Sequence, residues 1–141
     1  MYSIGKINQK IYKCITEDII TEEVIITDNQ IQHIKDRHPE AYNKVLKNIQ
    51  EAISTPDYII RDKHAYTGLI IKRIQTEEGF LQIVLRLCTS GDEHGYKNSV
   101  ISCWKISERR LQNYLRNKEI LYSRDCLLYT SPSPRDLSTS R

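Results

Sequence analysis

Hydrophobic and polar positions along the chain divide it into helix-period and strand-period segments, in a definite order. Near the start, Lys10-Ile-Tyr-Lys-Cys-Ile15 alternates as a strand does, and Glu22-Glu-Val-Ile-Ile-Thr27 is a short β-branched run able to pair with it. A helix is then expected, capped by Thr27 or Asp28, opening at Gln30 or Ile31, with Ile31 and Ile34 as its buried stripe. It must end at His38-Pro39, because proline disfavours α geometry in the residue before it. From about Pro39 to Ser54 the spacing of Tyr42, Val45, Leu46, Ile49 and Ile53 predicts a second helix, with proline acceptable in its first turn.

After Thr55-Pro56 the period changes to that of strands and stays so for some fifty residues. Four strands are expected, at Asp57–Arg61, Thr67–Gln75, Phe80–Cys88 and Asn98–Ile106, the middle pair joined by the turn Thr76-Glu-Glu-Gly79. In the third strand Leu81, Ile83, Leu85 and Leu87 alternate with Gln82, Val84 and Arg86, giving one strongly apolar and one mixed face. Ser107 caps a last helix that carries Leu111, Tyr114 and Leu115 on one side. The resulting expectation is an α+β fold: N-terminal helices packed on a four-stranded antiparallel sheet, with a C-terminal helix. No internal repeat is found.

Composition narrows the class. At 141 residues, 39% apolar and 28% charged, with a mean hydropathy of -0.54, the chain suits one soluble domain. It contains no run approaching the ~20 apolar residues of a membrane span and no signal-like h-region, so a cytoplasmic protein with no membrane partner is expected. A net charge of +3 neither announces nor excludes a polyanion. Cys14, Cys88, Cys103 and Cys126 are too widely spaced for a zinc knuckle or a disulfide framework, which makes reduced thiols the expectation. From about Cys126 the chain reads CLLYTSPSPRDLSTSR, with little to pack, and it resembles translated read-through of a sequencing-library adapter. We therefore divide the chain into an N-terminal extension or strand (1–21), a folded domain (22–122) and a disordered, non-native tail (123–141).

The densest polar cluster is His33-Ile-Lys-Asp-Arg37-His38-Pro39. His33 and Arg37 are four apart and share a helix face, and His38 sits at the disrupted end. Imidazoles exchange protons near neutral pH and a guanidinium grips phosphate in its planar fork, so the cluster suits acid–base work on a phosphate ester. Taken alone, the cluster more often means a His33 that caps or packs within the core, with Arg37-His38 as a solvated helix end. Metal binding is the rival chemistry, drawing on His33, His38, His64 and His94 with Asp36 and Asp62, but H-x(4)-H turns two imidazoles far apart on a helix. No metal and no cofactor are expected. In the sheet, Lys72 and Arg86 lie mid-strand, where a cation needs an open cleft or a carboxylate partner. Alternation along the last strand places Asn98, Val100, Ser102 and Trp104 on one face, with Ser99, Ile101 and Cys103 on the other. Trp104 can stack on a base or simply pack, and Tyr58, Tyr66 and Tyr96 can do the same. No nucleophile-elbow glycines flank Ser99 or Ser102, and the loop Cys88–Lys97 lacks the P-loop pattern.

The order of elements together with the stretches ITDNQIQHIKDRHPE, STPDYII and NSVISCWKIS resembles the phage-associated members of the barnase/EndoU/colicin/RelE-like ribonuclease superfamily, over roughly residues 22–122. The resemblance implies a metal-independent RNA-cleaving site, built from a histidine of the helical part, basic residues and a Ser or Thr of the last strand. On this chain it implies His33 as base or acid with His38 as its complement. Arg37 and Arg86 would hold the scissile phosphate, and Ser102 would contact a nonbridging oxygen or orient a histidine. Lys63 and Lys72 would be further phosphate contacts, and Trp104 a substrate contact. The implied partners are an RNA substrate and an immunity protein or phage structural protein, in a toxin or host-directed effector. A non-catalytic RNA-binding or phage-structural accessory domain is the alternative.

Overall fold

The computed structural model describes residues 2–37, 39–40, 42–74 and 79–124. In chain order the elements are β1 (Tyr2–Lys6), α1 (Gln9–Tyr12), β2 (Glu23–Ile26), α2 (Asp28–Arg37), α3 (Tyr42–Ser54), β3 (Tyr58–Arg61), β4 (Thr67–Arg73), β5 (Phe80–Arg86), β6 (Asn98–Ile106), α4 (Glu108–Asn117) and β7 (Ile120–Ser123). Among the described residues the strands form one seven-stranded sheet in the order β1-β2-β6-β5-β4-β3-β7.

The antiparallel meander expected from Asp57 to Ile106 forms the middle of this sheet as β3, β4, β5 and β6. The sheet is nevertheless wider than the four strands expected, and it is mixed. β2 pairs in parallel with β6, Val24 opposite Asn98 and Ile26 opposite Val100, a pairing that needs the whole α2–β5 segment as its crossover. β1 adds to the outer side of β2 and β7 to the outer side of β3, both antiparallel. The partner of β2 is Tyr2–Lys6, not Lys10–Ile15, which instead supplies the one-turn helix α1. Ile11, Tyr12 and Ile15 fit a helical spacing as well as an alternating one, and Asn8 decides between them by accepting the Lys10 N–H at 3.0 Å as an N-cap. Residues 2–21 thus belong to the same sheet and core, with Ile4, Ile7 and Tyr12 buried.

Two apolar layers flank the sheet. On one face Leu46, Ile49, Ala52 and Ile53 of α3, with Ile34 of α2, pack on Ile59, Ile70, Leu81, Ile83, Leu85 and Val100. Tyr12 joins this layer, its hydroxyl donating to the Ile53 carbonyl at 2.8 Å, and burial pushes its phenol pKa up. On the other face Leu111, Tyr114 and Leu115 of α4 cover Ile60, Leu69, Ile71, Phe80 and Ile106. Ser107 caps α4 by accepting the Arg110 N–H at 3.1 Å. Residues 75–78 of the expected β4–β5 turn, and the tail from residue 125, lie outside the described residues. Gly79, which ends that turn, has φ +97°, and a Cβ there would meet the Ile106 carbonyl oxygen at 2.7 Å, so the position requires glycine on both counts. Asn98 holds the start of β6. Its side chain accepts the Cys88 N–H at 2.7 Å and donates to the Thr21 and Glu23 carbonyls at 2.8 and 3.0 Å. No helix among the described residues is long and apolar enough to cross a membrane.

Candidate active site

β2 pairs with β6 only as far as Val100, after which the chain leaves the sheet at Thr27. The Thr27 hydroxyl accepts the Gln30 N–H at 3.3 Å and its carbonyl the Ile31 N–H at 3.0 Å, so α2 starts at once and runs beside the second half of β6. Ile34 anchors the helix in the core. Gln30, His33 and Arg37, spaced three and four apart, then fall on one side. Together with Asn29 they face Ser102, Cys103 and Trp104 across a cleft of about 640 Å3.

A β-bulge sets what β6 presents to this cleft. Leu85 is opposite Val100 but Val84 is opposite Ser102, so Ile101 is an extra residue without a partner on β5. Directly opposed residues share a sheet face, and Val84 and Leu85 point to opposite faces. Ser102 and Trp104 are therefore on the face opposite to Val100, which corrects the simple alternation expected for this strand. The same slip turns Cys103 toward the α3 core, opposite Ile83.

A second cavity, of about 590 Å3, adjoins the first and shares His33, Arg37, Cys103 and Trp104 with it. Ile34, Val45, Ile74 and Leu81 form its apolar part, with Lys44, Asn48 and Lys105 around them. Lys44 and Asn48, four apart on α3, and Lys105 were not singled out from sequence. Their only signal is helical or alternating spacing next to buried positions, which most solvated surface residues share. Among the described residues that line the two cavities none is a carboxylate, and Arg37 and Lys44 bring positive charge. The groove is thus a local basic site on a chain of small net charge.

Cys103 is the one thiol among the described residues that line the groove. Burial pushes its pKa up to about 11, with the Arg37 charge opposing the shift. It is protonated at neutral pH, and a protonated thiol is a poor nucleophile. Among the described residues no three His, Cys, Asp or Glu side chains converge as a metal site would require.

Of the residues singled out from sequence, His33, Arg37, Ser102 and Trp104 come together. His38 lies outside the described residues. Arg86 is opposite Ser99, toward the other end of β6, and does not line the groove. Its guanidinium grips Asp92 through two bonds of 2.9 and 3.3 Å, and Asp92 also accepts the Thr89 N–H at 2.8 Å. That contact raises the Arg86 pKa and lowers that of Asp92, and it fastens the loop after β5. Lys72 donates to the Thr55 carbonyl at 2.8 Å and hydroxyl at 3.2 Å, with Asp57 at 3.9 Å, and lines a separate cavity of about 280 Å3 beside α4. Lys63 is exposed between β3 and β4, three strands from β6.

The family model PBECR2, described as "phage-Barnase-EndoU-ColicinE5/D-RelE like nuclease2", matches residues 3–123. No curated protein and no solved structure matches the chain.

Proposed function

The chain belongs to this family of phage-associated nucleases, and from that premise we propose that the groove between α2 and β6 cleaves RNA by attack of the substrate's own 2′-hydroxyl. The observation that carries the reading is the meeting of His33, Arg37, Ser102 and Trp104 in one cleft, whose described lining bears the Arg37 cation and no carboxylate. A cleft of this kind attracts a phosphodiester and leaves the imidazole as its proton-transfer group.

The reaction needs three things from the protein. A base removes the 2′-hydroxyl proton while the 2′-oxygen bonds to phosphorus. An acid protonates the 5′-oxygen as its bond to phosphorus breaks, and donors stabilise the charge that builds on the nonbridging oxygens. His33 takes one of the proton-transfer roles, with His38, next but four in sequence, as its complement. Arg37 shares the helix face of His33 and holds the phosphate in its fork. Ser102 donates its hydroxyl to a nonbridging oxygen, and Trp104 lies against the nucleotide. Arg86 and Lys72 hold structure through Asp92 and Thr55.

With charge neutralisation supplied by side chains, cleavage of RNA should persist in excess EDTA. A fluorogenic RNA oligonucleotide incubated with the purified chain, with and without chelator, checks this. Equal rates are expected. Activity abolished by EDTA and restored by a divalent ion contradicts the proposal, and saturable RNA binding with no cutting points instead to a binding module.

A further inference from the structure

We propose that the outward face of α4 is a docking surface for a phosphate backbone, along which an RNA chain seated in the groove continues once it has passed Trp104. The proposal rests on the nuclease reading and adds to it a second contact region outside the cleft.

Charge on this chain is concentrated in one helix. Between Ser107 and Lys118 there are four cations, Arg109, Arg110, Arg116 and Lys118, and one acid, Glu108. Their net +3 equals that of the whole chain, so the remaining residues sum to zero. Leu111, Tyr114 and Leu115 turn one side of α4 to the sheet. Arg109, Asn113 and Arg116, spaced four and three apart, therefore form the opposite side, with Arg110 and Asn117 along one margin, and all five are exposed. Glu108 is on the other margin, where it accepts from Gln112 at 3.5 Å and stands 4.0 Å from Arg73. Among the described residues the guanidinium groups of Arg109, Arg110 and Arg116 have no carboxylate partner.

The makeup of this face selects its occupant. It presents no apolar side chain, so it lacks the buried anchors of a protein–protein contact. The apolar side of α4 is already covered by the sheet, which leaves nothing to insert into a membrane interface. Arg109 and Arg116 are two turns apart, roughly 10 Å along the axis, too far for one phosphate to bridge. A polymer with a charge at every residue engages both. Asn113 accepts from Asn117 through its amide oxygen, which leaves its own amide nitrogen as a donor to phosphate or ribose oxygens between the two arginines.

The path from the groove is short. Ser102 and Trp104 are on the sheet face that α4 covers, since Gln82 is opposite both Trp104 and Ile71, and Ile71 packs under α4. β6 ends at Ile106 and Ser107 caps α4 at once, whereas the far end of the helix leads to Ile120, opposite Ile60 of β3. A chain leaving the cleft at Ser102 and Trp104 thus meets Arg109 and Arg110 first and Arg116 last. Following a helix about 15 Å long takes at least four further nucleotides at roughly 3.4 Å each.

Fully 2′-O-methylated RNA lacks the attacking hydroxyl and so separates docking from cleavage. Strands of 4 and 12 nucleotides are titrated against the wild-type chain and two triple variants. One is Arg109→Gln/Arg110→Gln/Arg116→Gln, which keeps good helix formers in α4. The other, Lys6→Gln/Lys10→Gln/Lys13→Gln, removes the same charge from β1 and α1. The arginine variant should bind the 12-mer roughly tenfold or more weakly, bind the 4-mer within about twofold of wild type, and flatten the slope of log affinity against log salt for the 12-mer by roughly 2. The lysine variant should match wild type on both strands. Unchanged 12-mer binding by a folded arginine variant overturns the proposal, and equal losses in the two variants overturn it in favour of overall charge. If the triple arginine variant does not fold, Arg116→Gln alone must weaken the 12-mer at least about twofold or the proposal falls. Sedimentation of the chain with phosphatidylserine vesicles, lost in the arginine variant while 12-mer binding is kept, assigns the face to a membrane instead. Arginine-dependent 12-mer binding by a chain that leaves unmodified RNA uncut supports the docking surface and removes the nuclease reading. Cleaved RNA with 12-mer binding indifferent to the arginines does the reverse.

Discussion

Replacing His33 by alanine is expected to lower the single-turnover rate of RNA cleavage by roughly 10²–10⁴-fold, the range for loss of a positioned proton-transfer group. The residue is exposed, its neighbour Ile34 carries the burial of α2, and the Thr27 cap that starts the helix is untouched. Thermal unfolding should therefore match that of the wild type within the small effects typical of surface substitutions. The loss should fall on the chemical step more than on RNA affinity, because Arg37 and Lys44 still attract the backbone. Single-turnover kinetics at saturating enzyme, paired with a binding titration, separates the two. A folded His33→Ala variant that cuts RNA at nearly the wild-type rate would remove this histidine from the site.

Asn98→Ala should be the most damaging of the conservative truncations near the groove, although Asn98 lies outside it. The side chain is fully buried and makes three hydrogen bonds, one to the Cys88 N–H and two to the Thr21 and Glu23 carbonyls. These bonds join the strand entering the sheet, the loop leaving β5 and the start of β6. Truncation leaves a buried donor and two acceptors without their partner, at ~1–3 kcal/mol for each group that stays dry. Allowing for some relaxation and water entry, a loss of about 3 kcal/mol is expected, equivalent to roughly 10 °C or more in Tm for a domain of this size. Urea unfolding with the m-value held constant measures it directly. A change below about 1 kcal/mol would mean that the clasp contributes little and that β6 is held by its ladder alone.

What was legible in the sequence follows from how local each signal is. The central meander and α3 were readable because Leu81, Ile83 and Leu85, or Leu46, Ile49 and Ile53, repeat at the period of the element that contains them. The caps at Thr27 and Ser107 were readable for the same reason. The parallel pairing of Val24–Ile26 with Asn98–Val100 was not, since it joins residues more than seventy positions apart and no local pattern names a strand's partner. The outer strands β1 and β7 were hidden by their shortness, five and four residues, with Ile4 the single buried residue of β1. In the site, His33 and Arg37 were legible from helical spacing, and Ser102 and Trp104 from their place in the last strand. The bulge at Ile101, which decides the face Ser102 presents, has no glycine or proline to mark it. Arg86 stood out as a mid-strand cation needing a partner, and the partner is Asp92, six residues on in a loop whose path sequence does not fix.

The chemistry of the cut ends tests the account most directly. An RNA oligonucleotide, its fully 2′-O-methylated counterpart and the DNA of the same sequence are incubated with the chain, and the products are weighed by mass spectrometry. Attack by the substrate's own 2′-hydroxyl predicts fragments ending in a 2′,3′-cyclic phosphate with 5′-hydroxyl partners, from the unmodified RNA alone. Fragments ending in a 3′-hydroxyl and a 5′-phosphate, or equal cutting of the 2′-O-methylated strand, would contradict it and assign the attack to water.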